Sequence, residues 1–216
     1  LAGGPVDVLT TLTLTAGNVT TTDTNYLGLG SPTVAGTLSG GSTSSFINGP
    51  FRRTFATRTA TGTYSATTLF PVGKGALYTP MHIDPTVTGP VVMSGEVFAT
   101  NSGTLGGGVE TLGTNRWEGL IKSGSSNFTS SFIRLSDGLS VSTNKILQAT
   151  SAAGAYGSIL PATNFVTGTP NTLTTGTAIT AANYLGYFSY GNLNICPMPT
   201  SQATTFVASG VGSTFF

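Results

Sequence analysis

Phe128-Thr129-Ser130-Ser131-Phe132-Ile133-Arg134-Leu135 carries apolar side chains at both odd and even positions. In an extended strand successive side chains point to opposite faces. Phe128, Ser130, Phe132 and Arg134 then share one face, with Ile133 and Leu135 on the other. Apolar side chains on both faces predict a strand buried between two layers, as in a sandwich.

Working outward, the same period of two recurs. Val91, Met93 and Val97 alternate with Ser94 and Glu96, and Leu12-Thr13-Leu14-Thr15 alternates apolar with hydroxyl side chains. Helical periodicity is nearly absent. Turn signals separate the runs: Gly17-Asn18, the Gly/Ser stretch 39–45, Asn48-Gly49 followed by Pro50, Gly73-Lys74-Gly75, and a Gly-rich loop over Thr100–Gly113. Asn-Gly supplies the positive φ of a tight turn, and proline fixes the exit. Short strands at such spacing predict an all-β chain, a jelly-roll-like antiparallel β-sandwich, over residues 46–195. The short strands of residues 1–45 read either as a small solenoid-like segment or as an edge segment open to another subunit. Residues 196–216 form a Pro/Ser/Thr tail or a further pairing strand.

Composition narrows the function. Only 7% of the 216 residues are charged and the net charge is +1, against about 25% charged residues in ordinary globular proteins. No basic surface is present to neutralise phosphates, which excludes nucleic acid as a partner. A hydrophobic fraction of 38% with 12 Phe and 7 Tyr supplies a core and excludes disorder. Polarity is carried by Thr, Ser and Gly, so the surface lacks the charge repulsion that keeps copies apart. That points to a secreted, assembled protein at the cell surface. The single cysteine, Cys196, rules out an intrachain disulfide and is expected to be buried like a small hydrophobe. No apolar run is long enough for a membrane helix, and Leu1-Ala2-Gly3-Gly4-Pro5 has no signal-peptide pattern.

Candidate reactive groups are few. A Ser-His-Asp arrangement would have to use His82, the only histidine, with Asp84 at i+2 and a serine such as Ser94, yet no Gly-x-Ser-x-Gly elbow exists. A glycosidase would need two of Glu96, Glu110 and Glu118 to converge. Asp7, Asp23, Asp84 and Asp137 form no calcium loop, and histidine is too scarce for zinc. No catalytic residue, metal ligand or cofactor is therefore expected. Arg52 and Arg53 fall on opposite faces of one strand; one is expected to pair with a carboxylate between layers. Tyr184, Tyr187 and Tyr190 are the best aromatic cluster for stacking on a sugar, with core packing as the commoner fate.

Three motifs, in order, resemble a module recurring in very large secreted surface proteins of the Bacteroidota. They are Leu14-Thr15-Ala16-Gly17-Asn18-Val19, then Ile47-Asn48-Gly49-Pro50-Phe51-Arg52-Arg53, then Phe70-Pro71-Val72-Gly73-Lys74-Gly75 with Tyr78-Thr79-Pro80. Glu96-Val97-Phe98 and Asn115-Arg116-Trp117 extend the resemblance, which spans about residues 8–190. It implies an adhesin, matrix or filament component exported by the type IX route, and it implies no catalytic residues.

The sequence thus reads as an extracellular structural or adhesive module that is not an enzyme. Its expected partner is itself, through strand addition at Val6, Val8, Leu12 and Leu14 and at the terminal Phe215 and Phe216. A carbohydrate-binding adhesin is the alternative, and a glycoside hydrolase the remote one.

Overall fold

A computed structural model describes residues 1, 3–158 and 163–194. Its first half winds as a solenoid. The first rung is β1 (Val6–Val8), β2 (Thr11–Leu14) and β3 (Val19–Thr20); the second is β4 (Leu27–Leu29), β5 (Thr37–Gly40) and β6 (Ile47–Asn48). Each strand lies parallel on its counterpart, pairing Val6 with Leu27, Leu12 with Leu38 and Val19 with Ile47. A third, partial turn adds β7 (Phe51–Phe55) beneath β4, and β9 (Val72–Lys74) beneath β6, with β8 (Leu69–Phe70) between them.

Stacking in register places like on like: Val19, Ile47 and Val72 form one inward aliphatic ladder, and Leu12 stacks on Leu38. Asn48-Gly49-Pro50 makes the expected tight turn, as a corner between two sheets of this solenoid. The physical reason lies in the rung above. Gly49 takes φ of 131°, and a Cβ there would lie 2.4 Å from the Thr21 carbonyl oxygen, while the Thr21 hydroxyl donates to the Pro50 carbonyl at 2.8 Å.

The remaining strands are β10 (Leu77–Tyr78), β11 (Met81–Val87), β12 (Val91–Phe98), β13 (Thr104–Leu105), β14 (Arg116–Ser123), β15 (Phe128–Ser136) and β16 (Lys145–Ala149). They are followed by β17 (Ala155–Ser158), β18 (Thr163–Val166), β19 (Thr172–Thr175), β20 (Ile179–Thr180) and β21 (Tyr187–Gly191). A nine-stranded sheet runs β1-β4-β7-β12-β14-β21-β16-β17-β13 and a six-stranded sheet runs β18-β19-β15-β11-β8. The second half is mostly antiparallel, and the chain is all-β, in keeping with a sandwich. Helix is confined to two three-residue 3-10 turns among the described residues.

Between the two large sheets lie Met93, Val97 and Trp117 from one side and Met81, Ile83, Ile133 and Leu135 from the other. The Trp117 indole donates to the Thr79 carbonyl at 2.9 Å, so its one polar atom is satisfied. Gly95 is required by close approach: Phe70 packs against it so tightly that a Cβ would meet the ring at 2.4 Å. Solenoid and sandwich residues belong to one continuous core. β7 and β9 continue the rungs past residue 45.

Two expectations need correction. Phe128 does not share a face with Phe132 and Arg134. A bulge at Thr129, where Val87 pairs with Phe128 but Thr86 with Ser130, turns it onto the inner face with Ile133 and Leu135. Arg53 is buried as expected of one member of its pair, but its partners are carbonyls, not a carboxylate. It donates to Ala66 and Leu69 at 2.8 Å and to Gly36 at 2.9 Å. It sits directly beneath Leu29, at the floor of the solenoid. Burial, with Arg58 nearby, holds its pKa down to about 10.

Arg53→Ala leaves one buried and two partly buried carbonyls without their donor and is expected to cost about 2–3 kcal/mol in urea unfolding. A loss under about 1 kcal/mol would show that Arg53 is not what holds the solenoid floor.

Candidate functional site

The first rung ends three sheets at once. β1 is an edge of the nine-stranded sheet, β3 an edge of a four-stranded sheet (β10-β9-β6-β3), and β2 an edge of the β2–β5 pair. All three open edges belong to one turn of chain, Val6–Thr20, so they face the same end of the molecule. Alternate residues of a parallel strand bond to one neighbour, leaving the others for the opposite side. The Val6 amide donates to Tyr26, the Val8 carbonyl accepts from Gly30 and the Thr10 carbonyl from Thr37. Asp7, Thr11 and Thr13 consequently direct their own amides and carbonyls to the open side. At β3 the Thr20 carbonyl also faces out, and the Leu1 ammonium donates to it.

Inside this rung the aliphatic ladders stop without a cover among the described residues. Leu14 is buried, but Val8, Leu12 and Val19 are only partly so, and Val6 is 44% exposed. One rung deeper, Leu27, Leu29, Leu38 and Ile47 are all at most 5% exposed. The contrast comes from position: β4 and β6 of the second rung have a strand above and below, whereas the strands of the first rung have one only below. The sequence expectation for Val6, Val8, Leu12 and Leu14 falls on this rung, where the fold brings all four together. Phe215, Phe216 and Cys196 lie outside the described residues.

The outer face of the nine-stranded sheet gathers charge. Glu96 and Glu118 are directly opposed across β12 and β14. Each has its own cation: Lys74 lies 3.7 Å from Glu96, and Arg116 lies 3.1 Å from Glu118. Asp23 takes Lys122 at 3.1 Å, and Arg52 stacks on Tyr26 with 3.6 Å from its guanidinium carbon to the ring centre. Burial, reinforced by the neighbouring Glu118 and opposed by Lys74, pushes the Glu96 carboxyl up to about 7. Glu118 is raised as well, again chiefly by burial. Glu110 is exposed in the Gly-rich loop and does not join them.

His82 and Asp84 sit on the opposite face of the six-stranded sheet, covered by residues 56–68. Asp84 is wholly buried and accepts from the amides of Thr61 and Gly62 at 2.9 Å and from Arg58 at 2.5 Å. Nδ1 of His82 lies 3.1 Å from the Thr68 hydroxyl, and Tyr64 packs edge-on to the ring. Burial, with Arg134 and Arg53 nearby, lowers the His82 pKa to about 3, so the ring is a weak base. Ser94 belongs to β12 in the other sheet. The three residues of the imagined triad are not brought together. Among the described residues no group of three or more His, Cys, Asp or Glu side chains is placed to hold a metal.

Nor do the three tyrosines share a surface. Tyr184 donates its hydroxyl to the Gly119 carbonyl at 2.7 Å and packs on Phe128 and Phe188. Tyr190 is 6% exposed against Trp117 in the same core. Tyr187 alternates to the other face and joins a satellite cluster with Leu147 and Tyr156. Core packing claims them. Sequence reasoning missed the ion-pair stripe, because Lys74, Glu96, Glu118 and Lys122 meet only through pairing between distant strands.

Two partly buried groups set opposite pH responses. Glu96 titrates above its ordinary 4.5, so its contribution is full below 4.5 and is lost as pH rises through about 7. His82 titrates below its ordinary 6.5, so its contribution is full above 6.5 and is lost as pH falls towards 3. Urea unfolding across pH 4–8 is expected to show Glu96→Gln retaining stability above pH 6 where wild type declines, and His82→Gln flattening the acid limb. Parallel curves for all three proteins would contradict both placements.

No known protein family, curated protein or solved structure matches this chain, so the open rung's own geometry is the ground for a functional reading.

Proposed function

We propose that this chain is an extracellular structural module that joins its neighbours by β-strand addition, and that it is not an enzyme. One observation carries the reading: three sheet edges end together in a rung whose apolar ladders have no cover among the described residues. Natural β-proteins blunt such edges with lysine, proline or bulges. Between Val6 and Thr20 the only charged residue is Asp7, and there is no proline. A strand added there would satisfy outward amides and carbonyls while covering Val8, Leu12 and Val19. The Thr- and Ser-clad, weakly charged exterior suits close packing beside other copies at a cell surface. The ionisable groups support the same reading, since Asp84, Glu96 and Glu118 are each held by a cation or by amides.

The test is assembly. Light scattering and electron microscopy of the purified chain are expected to show association that grows with concentration. Thr13→Pro removes an amide that points to the open side and leaves the β2–β5 bonds intact, so it is expected to reduce association at least tenfold with an unchanged circular dichroism spectrum. A chain that stays monomeric at millimolar concentration, or a Thr13→Pro variant that assembles like wild type, would refute the proposal.

A further inference from the structure

We infer that the outer face of the nine-stranded sheet carries a saccharide-binding cleft, floored by the bare backbone of β4 and walled by Asp7, Tyr26 and Arg52. The site is separate in chemistry from strand addition and stands whether or not copies associate.

Strand register brings the parts together. Asp7, Gly28 and Arg52 stand side by side on β1, β4 and β7. Two residues along β7, Thr54 stands beside Val92 of β12 and Ser123 of β14. Arg52 and Thr54 alternate to the same side, so both rows open on the outer face. Gly28 is the gap in the first row. With no side chain there, the Asp7 carboxylate lies across the β4 backbone. A Cβ on Gly28 would fall 2.0 Å from Oδ1 of Asp7 and 3.6 Å from the Tyr26 ring. The cleft that results has a volume of about 330 Å³, at the small end of ligand pockets and suited to a ligand of sugar size.

Three features select a polyhydroxylated ring as the ligand. First, hydrogen-bonding groups stand unused. The Asp7 carboxylate and the hydroxyls of Thr54 and Ser123 have no partner among the described residues. Arg52 stacks on Tyr26, 3.6 Å from guanidinium carbon to ring centre, and gives only Nη2 to the Asp23 carbonyl at 3.1 Å. Stacking thus holds the guanidinium in place and leaves Nη1 to donate. A carboxylate accepts from neighbouring hydroxyls, a guanidinium donates to them, and Thr or Ser does either. Second, the lining is neutral as a whole, with one carboxylate and one guanidinium. A phosphate would be repelled by Asp7 and a polyamine by Arg52. Third, apolar surface is interleaved with the polar groups. Val92 separates Thr54 from Ser123, and Leu9, 59% exposed, forms the rim with Pro32 and Pro90. A pyranose presents the matching pattern, with hydroxyls around its edge and C–H groups on its faces.

Amide chemical shifts of the isotope-labelled full-length chain, kept dilute, test the site. The probes are the methyl glycosides of glucose, galactose, mannose, xylose and N-acetylglucosamine, with glycine and inorganic phosphate as charged controls. At least one glycoside is expected to shift the amides of Gly28, Arg52 and Thr54 saturably, with a millimolar Kd, and the controls are expected to leave them in place. Gly28→Ala is the sharpest variant. The one close neighbour of the new methyl is the end of the Asp7 side chain, which swings clear, so the fold is kept while the carboxylate leaves the cleft. Binding is expected to weaken at least tenfold with thermal unfolding unchanged. Asp7→Asn, which keeps the side-chain size and removes the charge, is expected to weaken binding in the same direction and decides the matter should Gly28→Ala not fold. Arg52→Lys, which loses the planar stack, is expected to do likewise. Glycosides that leave these amides unmoved, or shifts centred elsewhere on the molecule, would overturn the inference. So would glycine or phosphate acting where no glycoside does, or an Asp7→Asn chain that binds like wild type.

Discussion

Everything in this fold depends on the double pairing of one strand, β7. On one side it lies parallel to β4 as a solenoid rung; on the other it lies antiparallel to β12 as a sandwich strand. Five residues, Phe51 to Phe55, hold both relations by splitting their side chains. Phe51, Arg53 and Phe55 point inward, to Phe70 and the solenoid floor, while Arg52 and Thr54 point to the outer face. Because a single strand serves two architectures, β4 and β6 are covered from below by β7 and β9, while β5 has no strand beneath it. The two ends of the solenoid are therefore unlike.

Arg53 shows how the fusion is sealed. A third rung would normally supply a third side beneath β5, but the chain leaves after Phe55 to cover the outer face of the six-stranded sheet. There Asp84, Arg58 and the amides of Thr61 and Gly62 fasten it. Near that missing side lie the buried carbonyl of Gly36 and the partly buried carbonyls of Ala66 and Leu69. The Arg53 guanidinium, with donors fanned in a plane, serves all three. A buried cation without a carboxylate is costly, as the depressed pKa of this group records, and three short hydrogen bonds offset that cost.

Local alternation was readable and long-range pairing was not. Leu12-Thr13-Leu14 and Val91 to Phe98 fall on strands with the apolar side inward, because a period of two states burial directly. The same period picks out Val6, Val8, Leu12 and Leu14, which lie together on the first rung. A bulge inverts that logic, and nothing in Phe128-Thr129-Ser130 announces that Thr129 is the extra residue. Asn48-Gly49 announces a reversal of backbone direction, but whether the chain enters the same sheet or the next depends on the stacked Thr21 corner. Tyr184 and Tyr187 sit three residues apart and part company because Tyr184 precedes the strand while Tyr187 lies in it, facing away from Phe188. The Glu96–Glu118 opposition depends on the β12–β14 register across an intervening Gly-rich loop. Such contacts are properties of topology, and composition carries no trace of them.

Amide hydrogen exchange at Asp7, Thr11 and Thr13 reads the open rung most directly. In dilute protein these three amides are expected to exchange at least a hundredfold faster than those of Gly28 and Ser39 in the second rung, and to become protected as the chains assemble. Protection already present in the monomer, or exchange that stays fast in assembled material, would mean that the first rung is not where one molecule receives the next.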